Sequence, residues 1–171
     1  MGDLPDDRRP ARRHGRGMTT SIITPTPLAA QLRRNGFSGR IVEPGHDEYD
    51  RARACWNGDV DRRPAAVAFA TGAHDVAAAI RGARAAGVPL TVRGGGHSAS
   101  GRSVHDDALC IDLRGLREVR VDPETRTVTV GGGALLGELD AATQRHGLAV
   151  PAGQVSHTGV GGLTLGGGMG R

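Results

Sequence analysis

The chain has 171 residues, with 22 Arg and no Lys against 18 Asp and Glu, and only 2% aromatic residues. That length suffices for one domain with a core of Ala, Val, Leu and Ile, or for part of a larger one. The net charge of +4 is uneven: Arg8, Arg9, Arg12, Arg13 and Arg16 against Asp3, Asp6 and Asp7 put two of the four charges in the first 17 residues, so the body lacks the basic face of a nucleic-acid binder.

Residues 1–24 are charged, then rich in Thr, Ser and Pro, without apolar periodicity, and read as a disordered tail. Residues 25–62 read as an N-terminal helical segment leading into the main domain. It holds a short helix over 27–34, stopped at Asn35-Gly36, a short strand over 39–42, and a helix over 47–56. In that last helix Tyr49, Ala52 and Trp56 form a small apolar stripe, which predicts that both aromatic rings turn inward.

Residues 63–171 read as the main domain. A buried strand over 65–70, a helix over 74–86 ending at Gly87 and a strand over 88–92 predict a parallel βαβ unit. Strands follow over 109–113, 119–122 and 127–130, the last two joined by the Asp122-Pro123-Glu124-Thr125 turn as an antiparallel hairpin. A helix is expected over 134–146, stopped at Gly147.

Two glycine-rich stretches stand out. Arg93-Gly94-Gly95-Gly96-His97-Ser98 with Gly101 follows the strand over 88–92, at the carboxyl end where ligands of parallel sheets bind. Successive glycines there leave backbone N–H groups unshielded, which suits phosphate oxygens, and His97 is the one imidazole in the loop. Arg93 reads either as a phosphate partner or as a residue capping the strand. The second stretch has eight glycines between Gly153 and Arg171, too ordered for a linker and too poor in side chains for a core, which predicts close backbone approach to a ligand.

Cys55 and Cys110 lack C-x-x-C spacing, and the histidines lack ligand spacing, so neither a disulfide framework nor a metal site is expected. No apolar run reaches the length of a membrane helix or signal segment, and the expectation is a cytoplasmic protein that meets no membrane. A nicotinamide-binding Rossmann domain is disfavoured, because residues 94–101 lead into a polar loop and another strand rather than opening a helix.

In order, Tyr49-Asp50-Arg51, Trp56-Asn57, Arg63-Pro64, the Arg93–Gly101 loop, Gly131-Gly132-Gly133-Ala134, Pro151-Ala152-Gly153 and the run from Gly159 to Gly170 resemble the FAD-binding domain of berberine bridge enzyme-like oxidoreductases. These lie within the vanillyl alcohol oxidase and para-cresol methylhydroxylase superfamily, and the resemblance covers residues 39–171. It implies an α+β fold: a two-lobed FAD-binding domain with a βαβ lobe and an antiparallel lobe, truncated at its C-terminus and followed in the family by a substrate-binding domain that bears the catalytic base.

The resemblance further implies that His97 is joined covalently to the 8α-methyl carbon of FAD, a reaction that suits a neutral imidazole nucleophile. Arg93, Gly94, Gly95, Gly96, Ser98, Gly101, Gly153, Thr158, Gly159, Gly161, Gly162, Thr164 and Gly168 complete the cofactor-binding set. Many relatives carry a second, cysteinyl link two residues after the equivalent of Gly153. Here that position is Val155, so a single link is expected. Thr158 matches a position that bears on oxygen access in some relatives and leaves oxidase against dehydrogenase open. Ser156 and His157 read as polar residues that position the same loop. The function implied is an FAD-dependent oxidoreductase fragment, inactive alone, whose complete form takes hydride from an alcohol, sugar or amine carbon of a small-molecule substrate. The alternative is a non-catalytic remnant or interaction module that has lost flavin.

Overall fold

The computed structural model describes residues 27–167. The expected tail over 1–24 and the expected cofactor residue Gly168 lie outside the described residues. Six strands and five helices follow in the order α1 (Leu28–Arg34), β1 (Arg40–Val42), α2 (Tyr49–Arg53), β2 (Ala66–Phe69), α3 (Ala73–Ala86), β3 (Leu90–Arg93), β4 (Leu109–Asp112), β5 (Val119–Asp122), β6 (Thr127–Val130), α4 (Leu136–Gln144) and α5 (Val160–Gly166).

The main sheet has the order β1-β2-β4-β3, with β1 antiparallel to β2, and β2 and β3 both parallel to β4. The expected β2-α3-β3 unit is therefore parallel, but its two strands are not neighbours. β4 lies between them because all four of its residues are buried, which only a central strand covered on both faces provides. β3 takes the edge, where Leu90 and Val92 remain exposed. The hairpin of β5 and β6 forms as expected and makes a separate two-stranded sheet.

Side chains alternate across the main sheet. Ala66, Ala68, Leu109 and Ile111 pack with α1 and α3 through Leu32, Ala78, Ala79 and Ala83. Val67 and Cys110 face the other way and pack with Val42, Tyr49, Ala52 and Val104. Two glycines permit these layers to close. A Cβ on Gly82 would lie 2.7 Å from Leu32 Cδ2, and one on Gly39 only 2.0 Å from Phe69 O. The α3 helix stops at Gly87, whose φ of +66° lets Val88 N–H return to Ala83 O at 3.0 Å.

Asp75, buried in the first turn of α3, binds the segments on either side of the β1–β2 pair. Its carboxylate accepts from Ser38 N and Oγ at 2.7 and 2.9 Å, and from Thr71 N and Oγ1 at 2.9 and 2.6 Å. Burial raises its pKa, but these four donors outweigh it and hold the group well below the ordinary carboxylate range.

One further expectation needs correction. The helix over 47–56 ends at Arg53, so Trp56 lies beyond it and is 62% exposed, while Tyr49 turns inward and donates its hydroxyl to Pro64 O at 2.6 Å. Within the second glycine stretch, Val160–Gly166 forms helix α5.

Candidate functional site

The carboxyl ends of β3 and β4 open on a cavity of about 400 Å³. The size lies within the range of small-molecule sites, roughly 300–1,000 Å³. Gly95, Gly96 and His97 from the first glycine loop line it, with Trp56 beside them, together with Arg114, Arg117, Gly133, Leu135 and His157.

Beside the cavity, glycines meet glycines. A Cβ on Gly94 would lie 2.9 Å from Gly132 O, one on Gly95 2.6 Å from Gly159 Cα, and one on Gly161 2.8 Å from Gly132 O. Three chain segments thus meet backbone to backbone. The close approach expected of the second glycine stretch is an approach to the other two segments of the same chain. Gly101 has φ +71° and turns the first loop back against Val60, while Ser98 Oγ accepts from Arg102 N at 3.1 Å.

Arg93 is 1% exposed, and its guanidinium donates to Ala52 O at 2.7 Å and Ala54 O at 3.0 Å, at the end of α2. Its side chain therefore anchors the segment that carries Trp56. Its Nε borders Asp112 at 3.6 Å and has no hydrogen-bond partner. The Trp56 backbone N–H in turn donates to Gly96 O at 3.1 Å, and the indole stacks on the His97 imidazole with centroids 4.7 Å apart and planes 18° apart.

On the far side, His97 Nε2 lies 2.9 Å from His157 Nδ1. The loop bearing His157 is fixed by α4, whose first amides donate outward: Leu136 N to Thr158 O at 2.9 Å and Gly137 N to Ser156 O at 2.8 Å. This uses helix N-terminal donors that have no partner within the helix.

The wall is cationic. Asp112, fully buried, pairs with Arg114 at 2.8 Å and borders Arg93, and Glu138 pairs with Arg117 at 2.5 Å while accepting from Leu135 N at 2.8 Å. The Arg117 hydrogen bond holds the Glu138 carboxyl below its ordinary range. Four arginines, Arg51, Arg93, Arg114 and Arg117, line the cavity against these two carboxylates, a local excess of two positive charges that suits an anion. Burial pushes the Cys110 thiol up despite the nearby Arg93, so it is not a nucleophile here. Among the described residues, no group of three or more His, Cys, Asp or Glu gathers to hold a metal.

Of the residues singled out from the sequence, Arg93, Gly95, Gly96 and His97 line the cavity, and Gly94, Gly159 and Gly161 pack backbone to backbone beside it. Ser98, Gly101, Gly153, Thr158, Gly162 and Thr164 do not line it. Arg51, Trp56, Arg114, Arg117, Leu135 and His157 were not in the expected set. Arg114 stands just past the end of β4, and that position at a parallel strand's carboxyl end was the available signal.

A family model described as an FAD binding domain matches residues 64–171. An FAD-linked oxidoreductase of Dictyostelium discoideum is 36% identical over 136 residues, 79% of this chain and 30% of the relative. Among solved structures, the BBE-like 1 protein of Physcomitrella patens aligns with a TM-score of 0.76 at 33% identity, over 82% of this chain and 30% of that one. The glucooligosaccharide oxidase of Acremonium strictum, described as holding a 6-S-cysteinyl, 8α-N1-histidyl FAD, aligns with a TM-score of 0.77 at 31% identity, over 85% and 30%.

The chain belongs to the berberine bridge enzyme-like FAD-linked oxidoreductases. Its α+β architecture is that of their FAD-binding domain, and it spans about 30% of the length of these relatives. The residues of this flavin domain fit the cofactor. Gly95, Gly96 and Gly133 bring backbone without side chains to the cavity, and that cradle beside an arginine-rich wall suits an anionic ligand. Among the described residues, no helix is long and apolar enough to cross a membrane.

Proposed function

We propose that this chain holds FAD through a single covalent bond to His97, as the flavin-binding part of an enzyme that oxidises an alcohol, sugar or amine carbon. The observation that carries the reading is the position of His97. It stands on the glycine loop at the carboxyl end of β3, faces the arginine-lined cavity, and has its ring plane fixed by Trp56. When bound, the flavin accepts a hydride from substrate and passes the electrons to oxygen or another acceptor.

The chain's own residues bind and orient. Arg114 and Arg117 supply the charge that balances a pyrophosphate, and Gly95 and Gly96 bring bare backbone to the cavity to meet it. Arg93 acts at one remove by holding the α2 carbonyls. Thr158 closes the loop beneath α4 through its carbonyl. Val155 stands where a second, cysteinyl attachment would need a thiol, which supports a single bond.

The test is flavin incorporation. The chain expressed with FAD, precipitated in acid and run on a denaturing gel should give a yellow pellet and a fluorescent band. His97→Ala should abolish both. A colourless wild-type pellet would instead favour a remnant without flavin, and a fluorescent His97→Ala band would remove His97 from its role.

A further inference from the structure

We propose that His157 is the positioning partner of His97: its Nδ1 accepts the His97 Nε2 proton, fixes the imidazole as the tautomer with a free Nδ1 lone pair, and receives that proton when His97 is alkylated. The proposal rests on the covalent-flavin reading above and assigns a residue to the attachment step itself.

Three observations carry it. The first is the contact, 2.9 Å from His97 Nε2 to His157 Nδ1, within the range of a hydrogen bond between ring nitrogens. A neutral imidazole has one donor and one acceptor nitrogen, and the partner of one nitrogen decides the state of the other. With His157 Nδ1 as the acceptor of the proposed bond, His97 Nε2 carries the proton and Nδ1 is the nitrogen left to react.

The second is rigidity on both sides of the pair. Ser156 and Thr158, which flank His157, each give their carbonyl to an amide in the first turn of α4. His97 is held by the Trp56 stack, itself clamped by the Trp56 backbone N–H bond to Gly96 O and by Arg93 on the α2 carbonyls. The two imidazoles meet at 4.8 Å between centroids, tilted by 36°, so Trp56, His97 and His157 form a continuous row of rings along the cavity rim. Outer residues that hold a reacting imidazole in one tautomer govern its basicity and aim.

The third is charge. Alkylation at Nδ1 turns a neutral ring into a cation, beside a wall that already carries an excess of arginine. Passing the Nε2 proton through His157, which is exposed, to solvent leaves both rings neutral. In balance, one C–N bond forms between His97 Nδ1 and the 8α carbon, one methyl C–H bond and the imidazole N–H bond break, and the C–H electron pair enters the isoalloxazine. The two protons released equal those taken up by the reduced ring. Dioxygen, as the two-electron acceptor, then restores the oxidised ring and leaves as hydrogen peroxide.

The experiment has a flavin-independent arm and a flavin-dependent arm. Long-range nitrogen–proton spectra of the 171-residue chain without flavin should show His97 protonated on Nε2 with an unprotonated Nδ1. His157→Ala should collapse this to exchange between tautomers, and His157→Asn, whose amide oxygen restores the acceptor, should recover it. In the second arm, the rate of acid-stable flavin incorporation should fall by about 100-fold in His157→Ala, the scale of a lost proton acceptor. His157→Asn should recover part of it. A proton on His97 Nδ1 in the wild-type chain, or unchanged tautomer and rate in His157→Ala, would overturn the proposal. Loss of covalent flavin in His97→Ala alone, with His157→Ala unaffected, would leave the attachment standing and remove only the partner. No covalent flavin on the wild type would remove the attachment, and the tautomer spectra would then decide the pairing alone.

Discussion

His97 and Asp75 illustrate how differently two polar side chains are used in this domain. His97 borders the cavity between two rings, with one nitrogen engaged. Asp75 is buried and saturated by four donors, and serves only to join Ser38, Thr71 and the start of α3. Replacing it by Asn puts an N–H group where an acceptor is required and should cost about 2–3 kcal/mol, the worth of hydrogen bonds to a buried charge. Because its folded pKa is depressed, its contribution is fully present above the unfolded value of about 3.9 and is lost as the pH falls toward the folded value. Urea unfolding at neutral pH and near pH 3 should show that loss in the wild type and a smaller one in Asp75→Asn.

At the scale of elements, the glycine segments are structural before they are anything else. A Cβ on Gly133 would stand 1.7 Å from Leu113 O, and one on Gly131 2.2 Å from Leu116 O, so the chain entering α4 lies directly on the turn after β4. Gly133→Ala should therefore destabilise the fold by at least about 2 kcal/mol, since backbone on both sides must shift. Gly58→Ala meets no atom within 4 Å and should be neutral, or stabilising by about 0.4–1 kcal/mol through the unfolded chain. Thermal melts of the two variants separate packing glycines from loop glycines. The same closeness explains α5. Three of its seven residues are glycine, a poor composition for a helix, yet Gly161 packs on Gly132 O as no larger residue could. Packing there outweighs propensity.

Across the whole molecule, charge is placed rather than abundant. The described body is nearly balanced, yet four arginines line one cavity against two carboxylates. Flavin binding before covalent attachment should weaken as salt rises from about 0.1 M to 1 M, where the screening length shrinks from roughly 10 Å to 3 Å. Arg117→Ala should flatten that dependence, and fluorescence titration at the two salt concentrations measures both. Salt-independent binding would mean that the arginines do not meet the phosphates.

Much of this was legible in the chain alone. The strands, helix α3 and its stop at Gly87, the hairpin, and a histidine on a glycine loop after a parallel strand all follow from local periodicity and turn chemistry, which neighbouring residues determine. Only the tertiary structure decided that β4 separates β2 from β3, that Trp56 turns out to stack on His97, that Arg93 holds α2, and that His157 reaches His97 across 60 positions of sequence. Each of these depends on which distant segments meet. Burial on both faces of β4 and the glycine contacts beside the cavity settle that meeting, and neither has a local signature.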